Sequence, residues 1–152
     1  PRSYLDIAYA LAQHGAEPQR DLEELWRRIV FTVLISNTDD HLRNHGFLYT
    51  RHKGWRLSPV YDVNPTPAQV KRRMLTTSIT YDDPTASLEN ALSVIGDFRI
   101  VLPRAKEIIR EVAGSVAEWR AFAKSAGIHK REIDRMASAF EHEDAAWVKG
   151  SL

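Results

Sequence analysis

One stretch leaves this chain little choice of fold. Leu22, Leu25, Trp26, Ile29, Val30, Val33 and Leu34 recur at steps of three and four, which is the period of one face of an α-helix. The helix follows a turn at Pro18. Glu23 and Glu24 stand one turn before Arg27 and Arg28, a spacing that predicts i,i+4 ion pairs along its wet face. So long an apolar stripe has to be covered by other elements, and the sequence supplies them as helices. Ser3 opens an apolar-periodic stretch that Gly15 closes, a capping residue and a terminator around a short helix. Ser87 predicts a helix through Ile95, ended by Gly96. Pro103 suits a first helical turn, and Ile108, Ile109, Val112, Val116, Trp119 and Phe122 form a stripe that ends at Gly127. Ile133, Met136, Ala137 and Phe140 predict a last helix. Trp26, Trp119 and Phe122 are expected in the core, whereas Trp55 and Trp147 lie off every stripe. With 152 residues, 43% of them hydrophobic, the chain can bury a sizeable single core.

After Ser36 the helical period breaks. Residues 37 to 46 read Asn-Thr-Asp-Asp-His-Leu-Arg-Asn-His-Gly, with no face to bury. Phe47-Leu48-Tyr49 and Trp55-Arg56-Leu57 are β-prone runs around Gly54, which predicts a hairpin. Ser58 to Pro65 leaves it as an extended, proline-bounded loop. Residues 66 to 86 are weakly periodic and read as irregular, with a short strand expected at 75 to 80. Their basic run Lys71-Arg72-Arg73 reads as a solvated face. The fold class is therefore mainly α (α+β), a helical bundle with a small hairpin in its middle.

Composition narrows the chemistry. Charged residues make up 27% and the net charge is +1, so bulk electrostatics do not point to a polyanionic partner. The chain has no cysteine, which excludes disulfides, thiolate metal sites and cysteine nucleophiles and fits a reducing, cytoplasmic setting. No apolar run approaches the roughly 18 residues of a membrane span. The Pro-Arg-Ser start, with no signal-peptide pattern and no initiator methionine, reads as a piece of a longer protein.

The polar loop is what helix and strand patterning leaves unexplained. Asp39 and Asn44 have the D-x-x-x-x-N spacing of a kinase catalytic loop, and Asp62 follows just past the hairpin. Phosphoryl transfer needs a carboxylate to orient the acceptor hydroxyl and receive its proton. It also needs hard oxygen ligands for Mg²⁺, which an Asn amide oxygen and an Asp carboxylate provide. The hairpin would return Asp62 to face Asn44. Structural readings also exist: Asp39 could cap a turn, Asn44 could hold a left-handed position, and Asp62 could be a turn residue. His41 and His45 stand i,i+4, a zinc-pair spacing on a helix, but the loop does not read as helical and offers no third ligand.

Asn37 to Leu48, together with Leu57-Ser58-Pro59-Val60-Tyr61-Asp62-Val63-Asn64-Pro65, resembles the two signature segments of the HipA family. Leu-Trp-Arg-Arg-Ile-Val-Phe before them and Asp-Asp-Pro-Thr-Ala-Ser after them are similar to HipA-like sequences too. The resemblance implies the C-terminal lobe of a two-lobed, kinase-like Ser/Thr protein kinase, the toxin of a bacterial toxin–antitoxin pair. It implies Asp39 as catalytic base and Asn44 and Asp62 as ligands of Mg²⁺ beside ATP, with His41 assisting at the phosphates. Partners would be a protein substrate and a HipB-like helix-turn-helix antitoxin, with DNA met only through the antitoxin and no membrane. The expected domain is residues 1–152, a single C-lobe without the family's phosphate-covering N-terminal lobe, so this fragment alone should be inactive. Two rival readings are a non-catalytic binding module derived from a kinase and a lipid or small-molecule kinase using the same loop.

Overall fold

The computed structural model describes residues 2–51 and 53–152. Helix α1 (Tyr4–His14) begins at a capping box. The Ser3 hydroxyl accepts the Leu5 amide, while the Asp6 carboxylate accepts the amide of Ser3, so donors left over at the helix start are satisfied. Helix α2 (Pro18–Ile35) carries Pro18 in its first turn, where the missing amide hydrogen is not needed. All seven stripe residues from Leu22 to Leu34 are buried. Trp26 is fully enclosed and donates its indole N–H to the Ala91 carbonyl at 2.9 Å. Enclosing a ring of that size is worth on the order of 5 kcal/mol of apolar burial.

Helix α2 is the axis of the fold. It packs on α1, on α3 (Leu88–Ser93), on α4 (Leu102–Ala117) and on the C-terminal helices. The predicted charge pairing along α2 holds for Glu24 and Arg28, 2.8 Å apart. Arg27 instead reaches Glu111 of α4 at 2.7 Å, and Glu23 accepts Arg104 of α4 at 2.6 Å. Those charges tie two helices together rather than lying along one.

Three expectations about the C-terminal half change. The stripe read as one helix to Gly127 is two, α4 and α5 (Trp119–Ser125), because the chain leaves helical geometry at Glu118 (φ −82°, ψ 5°). The break turns the stripe off the core. Phe122 is 66% exposed, and Trp119 is half-buried and stacks on Phe140 of α6 (Lys130–Phe140) at 4.3 Å between centroids. Residues 143 to 151 form a further helix, α7 (Glu143–Ser151), which carries the half-exposed Trp147. Helix α3, capped by the Ser87 hydroxyl, stops at Ser93, short of Ile95.

The hairpin pairs β1 (Phe47–Thr50) with β2 (Gly54–Leu57) in the register Phe47 to Leu57 through Thr50 to Gly54. Gly54 sits at φ +103°, and a Cβ there would come within 2.5 Å of the His14 carbonyl. Only glycine fits. The Ala16 amide donates to the Trp55 carbonyl, and Arg56 forks onto Asp21, which also accepts the Leu57 amide. The hairpin is thereby seated on the α1–α2 corner. Trp55, 44% exposed, leans on Tyr49 across the strands.

The strand expected at 75 to 80 is absent among the described residues. Segment 75–78 runs beside the polar loop and the N-terminus, bonded irregularly to both. Thr76 donates to Thr38, Thr77 to Asp40 and Ser78 to Arg2, while Tyr4 donates to Ser78. Leu75 and Ile79 bury their side chains between these contacts. Among the described residues, no helix is long and apolar enough to cross a membrane.

Candidate active site

Helix α2 ends on Ser36, whose left-handed backbone (φ 54°, ψ 46°) turns the chain sharply into the loop. That turn is held from a distance. The Ser36 hydroxyl donates to the Ala139 carbonyl and accepts from Arg73, whose guanidinium also binds the Val33 carbonyl and Asp144. Arg73 is thus a half-buried, ion-paired hub, which corrects the reading of the whole basic run as a solvated face.

Beyond the turn, burial alternates. Thr38 and Asp40 are buried while Asp39 between them is exposed. The carbonyls on either side of it accept the amides of Thr76 and Thr77, at 3.2 and 3.1 Å. The Asp39 carboxylate is therefore held out to solvent on backbone pinned from both sides, as a group that must meet an incoming hydroxyl would need to be.

A short 3-10 turn, Leu42–Asn44, carries the next site residue. Asn44 is buried; its Oδ1 accepts the His41 amide at 3.0 Å, and its Nδ2 donates to Asp62 at 2.6 Å. The hairpin thus returns Asp62 directly onto Asn44. The second carboxylate oxygen of Asp62 accepts the side-chain Nδ2 of Asn64 at 2.9 Å, and the Tyr61 hydroxyl donates to the Arg43 carbonyl. Asp62 is a non-glycine residue at φ 55°, a conformation costing roughly 1–2 kcal/mol and typical of backbone held for a purpose. His41 is half-buried with its Nδ1 enclosed and unpartnered.

Sequence reasoning missed the layer beneath these groups. Tyr4 of α1, fully buried, donates its hydroxyl to the buried Asp40 carboxylate, and the same oxygen meets His45 Nε2 at 3.0 Å. The Tyr4 and His45 rings pack edge to face. Burial above all, and the Asp40 charge after it, raises the Tyr4 hydroxyl well above its ordinary pKa. The one available signal was Asp40 itself, a second carboxylate directly beside the first. His45 Nε2 is engaged by Asp40, and among the described residues no group of three His, Cys, Asp or Glu is placed to hold a metal ion.

The donor set fits Mg²⁺. Asp62 offers a carboxylate and Asn44 an amide oxygen, with Asn44 Nδ2 facing Asp62 and Oδ1 held by the His41 amide, and Mg²⁺ characteristically takes one or two protein ligands and completes its shell with water and phosphate oxygens.

The profile of the HipA-like C-terminal domain matches residues 1–147. The chain belongs to that family. A HipA-like reading also agrees with two curated relatives. The chain is 38% identical over 68 residues to the protein named "Putative kinase" of Haemophilus influenzae, a match covering 43% of this chain and 20% of that protein. It is 44% identical over 46 residues to "Putative kinase Y4dM" of Sinorhizobium fredii, covering 30% of this chain and 11% of that one. The matched part of the HipA-like domain therefore spans a fifth or less of these relatives. No solved structure gives a significant match.

Proposed function

We propose that this HipA-like domain is the C-terminal lobe of an ATP-dependent Ser/Thr protein kinase, the toxin of a toxin–antitoxin pair. The observation that carries the reading is the direct bond between Asn44 and Asp62 across the hairpin, beside an Asp39 carboxylate presented to solvent. Asp39 orients the acceptor hydroxyl and takes its proton as the new P–O bond forms and ADP departs. Asn44 and Asp62 would hold Mg²⁺, which when bound would supply charge neutralisation at the ATP phosphates. His41 assists at the same phosphates.

In this reading residues 1–152 are one domain, and a second lobe covers the nucleotide from the opposite side. The hairpin and the loop after it expose Leu48, Tyr49, Val60 and Tyr61, apolar surface of the kind a neighbouring lobe would bury. The acceptor is a protein hydroxyl, the regulatory partner is a HipB-like helix-turn-helix antitoxin that alone touches DNA, and the setting is the cytoplasm. The isolated domain folds but does not turn over ATP, because positioning and charge stabilisation from the second side are missing.

The test is Asp39→Ala in the complete polypeptide. Transfer from radiolabelled ATP should fall by roughly 10²–10⁴-fold, the range for losing a general base, with thermal stability unchanged because the side chain is exposed. Near-native transfer by this variant would exclude Asp39 as the base.

A further inference from the structure

Three residues before Leu42, the peptide bond that carries Asp39 receives an unusual number of donors. The Thr38 carbonyl accepts the Thr76 amide at 3.2 Å, the Thr76 hydroxyl at 3.0 Å and the Lys71 ammonium at 3.0 Å. Two donors satisfy a carbonyl oxygen, so the third is not there to fill an empty lone pair. Lys71 also lies 3.4 Å from the Thr76 hydroxyl. No described carboxylate stands within ion-pair distance of it, whereas Arg73, two residues on, is paired to Asp144. The residue as a whole is exposed. An ammonium has three N–H groups, and the protein engages two of these.

The arrangement is poorly explained as stabilisation. A solvent-facing lysine forfeits rotamer freedom when it is fixed, and here it gains one bond to a carbonyl already served and one long bond, at 3.4 Å, to the Thr76 hydroxyl. It does place a full positive charge beside the Asp39 peptide, with a donor left over and no counter-ion to cancel it. A reaction that moves a phosphoryl group toward a hydroxyl held by Asp39 brings negative charge to that spot. Fixed cations aimed at developing charge are among the largest sources of rate enhancement.

We infer that Lys71 is a further catalytic residue of this site. Its ammonium, tethered to the Thr38 carbonyl, contacts the phosphoryl group during transfer from ATP to the acceptor. The bond between the γ-phosphorus and the bridging oxygen breaks, the bond to the acceptor oxygen forms, and the acceptor proton passes to Asp39. Lys71 remains protonated throughout and donates a hydrogen bond to a phosphoryl oxygen. This inference rests on the kinase reading above.

The experiment uses the complete polypeptide with γ-labelled ATP and compares wild type, Lys71→Met and Lys71→Arg. Lys71→Met should lower kcat roughly 10²-fold, the scale for losing one charge-stabilising donor. KM for ATP should change by less than about threefold, because ground-state binding is untouched. Lys71→Arg, which keeps the charge, should recover about tenfold or more of that loss. Binding of ADP with aluminium fluoride, a mimic of the transferring phosphoryl group, should weaken in Lys71→Met while ATP binding holds. Unchanged kcat in Lys71→Met overturns the inference and leaves the kinase reading standing. Equal losses in Met and Arg variants, accompanied by a lower melting temperature, also overturn it and make Lys71 a structural tether. A wild-type protein that neither binds ATP nor transfers its phosphate overturns both readings together.

Discussion

Removing one oxygen atom from α1 should loosen the floor of the site in a way that alkali reveals. Tyr4→Phe deletes the hydroxyl that donates to the buried Asp40 carboxylate and leaves His45, among the described residues, as the only side chain on that oxygen. A hydrogen bond to a charged, buried acceptor is worth about 1.5–3 kcal/mol. For a domain of this size that corresponds to a melting-point drop of roughly 3–12 °C. The same hydroxyl has its pKa raised by burial and by Asp40, so its stabilising contribution is complete below the unfolded value near 10 and is lost as pH rises past it. Above about pH 10 the unfolded wild type releases a proton that the folded state keeps, so wild-type stability should decline relative to the variant by about 1.4 kcal/mol per pH unit. Urea denaturation of both proteins at pH 8 and at steps up to pH 11 measures this, with the slope m unchanged between them. A difference below about 0.5 kcal/mol at pH 8, within the range of an ordinary surface substitution, would refute the reasoning. So would a difference that stays constant up to pH 11.

Arg73→Ala should cost about 3–5 kcal/mol in urea denaturation, because it strands the buried Asp144 and unties Ser36; a loss typical of a surface arginine would count against the hub. Burial first, then the Arg73 charge, holds the His142 pKa below its usual value. Its contribution to stability is therefore present above about pH 6.5 and lost as pH falls below that, and His142→Gln should flatten the stability profile between pH 7 and pH 5. The isolated domain should bind Mg²⁺ only weakly in calorimetry, since two protein ligands cannot replace its water shell; tight stoichiometric binding would contradict the two-ligand assignment.

What the sequence made legible was whatever depends on near neighbours. The stripe of α2, the Ser3 and Ser87 caps and the Gly54 turn are each decided within a few residues, and the structure keeps all of them. The D-x-x-x-x-N spacing and the return of Asp62 were legible for the same reason. The failures all involve distance. Nothing near Glu118 announces that the helix breaks there, and Phe122 remains on a perfect stripe that the break turns outward. Helix α7 has almost no amphipathic pattern to read, with Ala145, Ala146, Trp147 and Val148 in a row. Arg73 looked solvated because its partners Asp144 and Ser36 lie far off in sequence. Tyr4 and Asp40 are 36 residues apart, so no local pattern couples them, although Asp40 beside Asp39 was a hint that one of the two must turn inward.

The Ser36 turn has a consequence for the order in which the protein is made. Its anchors are the Ala139 carbonyl and the Arg73–Asp144 pair, and His142 binds the neighbouring Leu34 carbonyl. A ribosome delivers Asp39, Asn44 and Asp62 long before those anchors emerge. A nascent chain can wind α1 and α2 early, yet the turn that aims Asp39 stays unclamped until residues 139 to 144 have cleared the exit tunnel. Truncation between Asp62 and that point would leave the site residues present and their geometry unset. The fold itself thus withholds the finished loop geometry from incomplete copies of the domain.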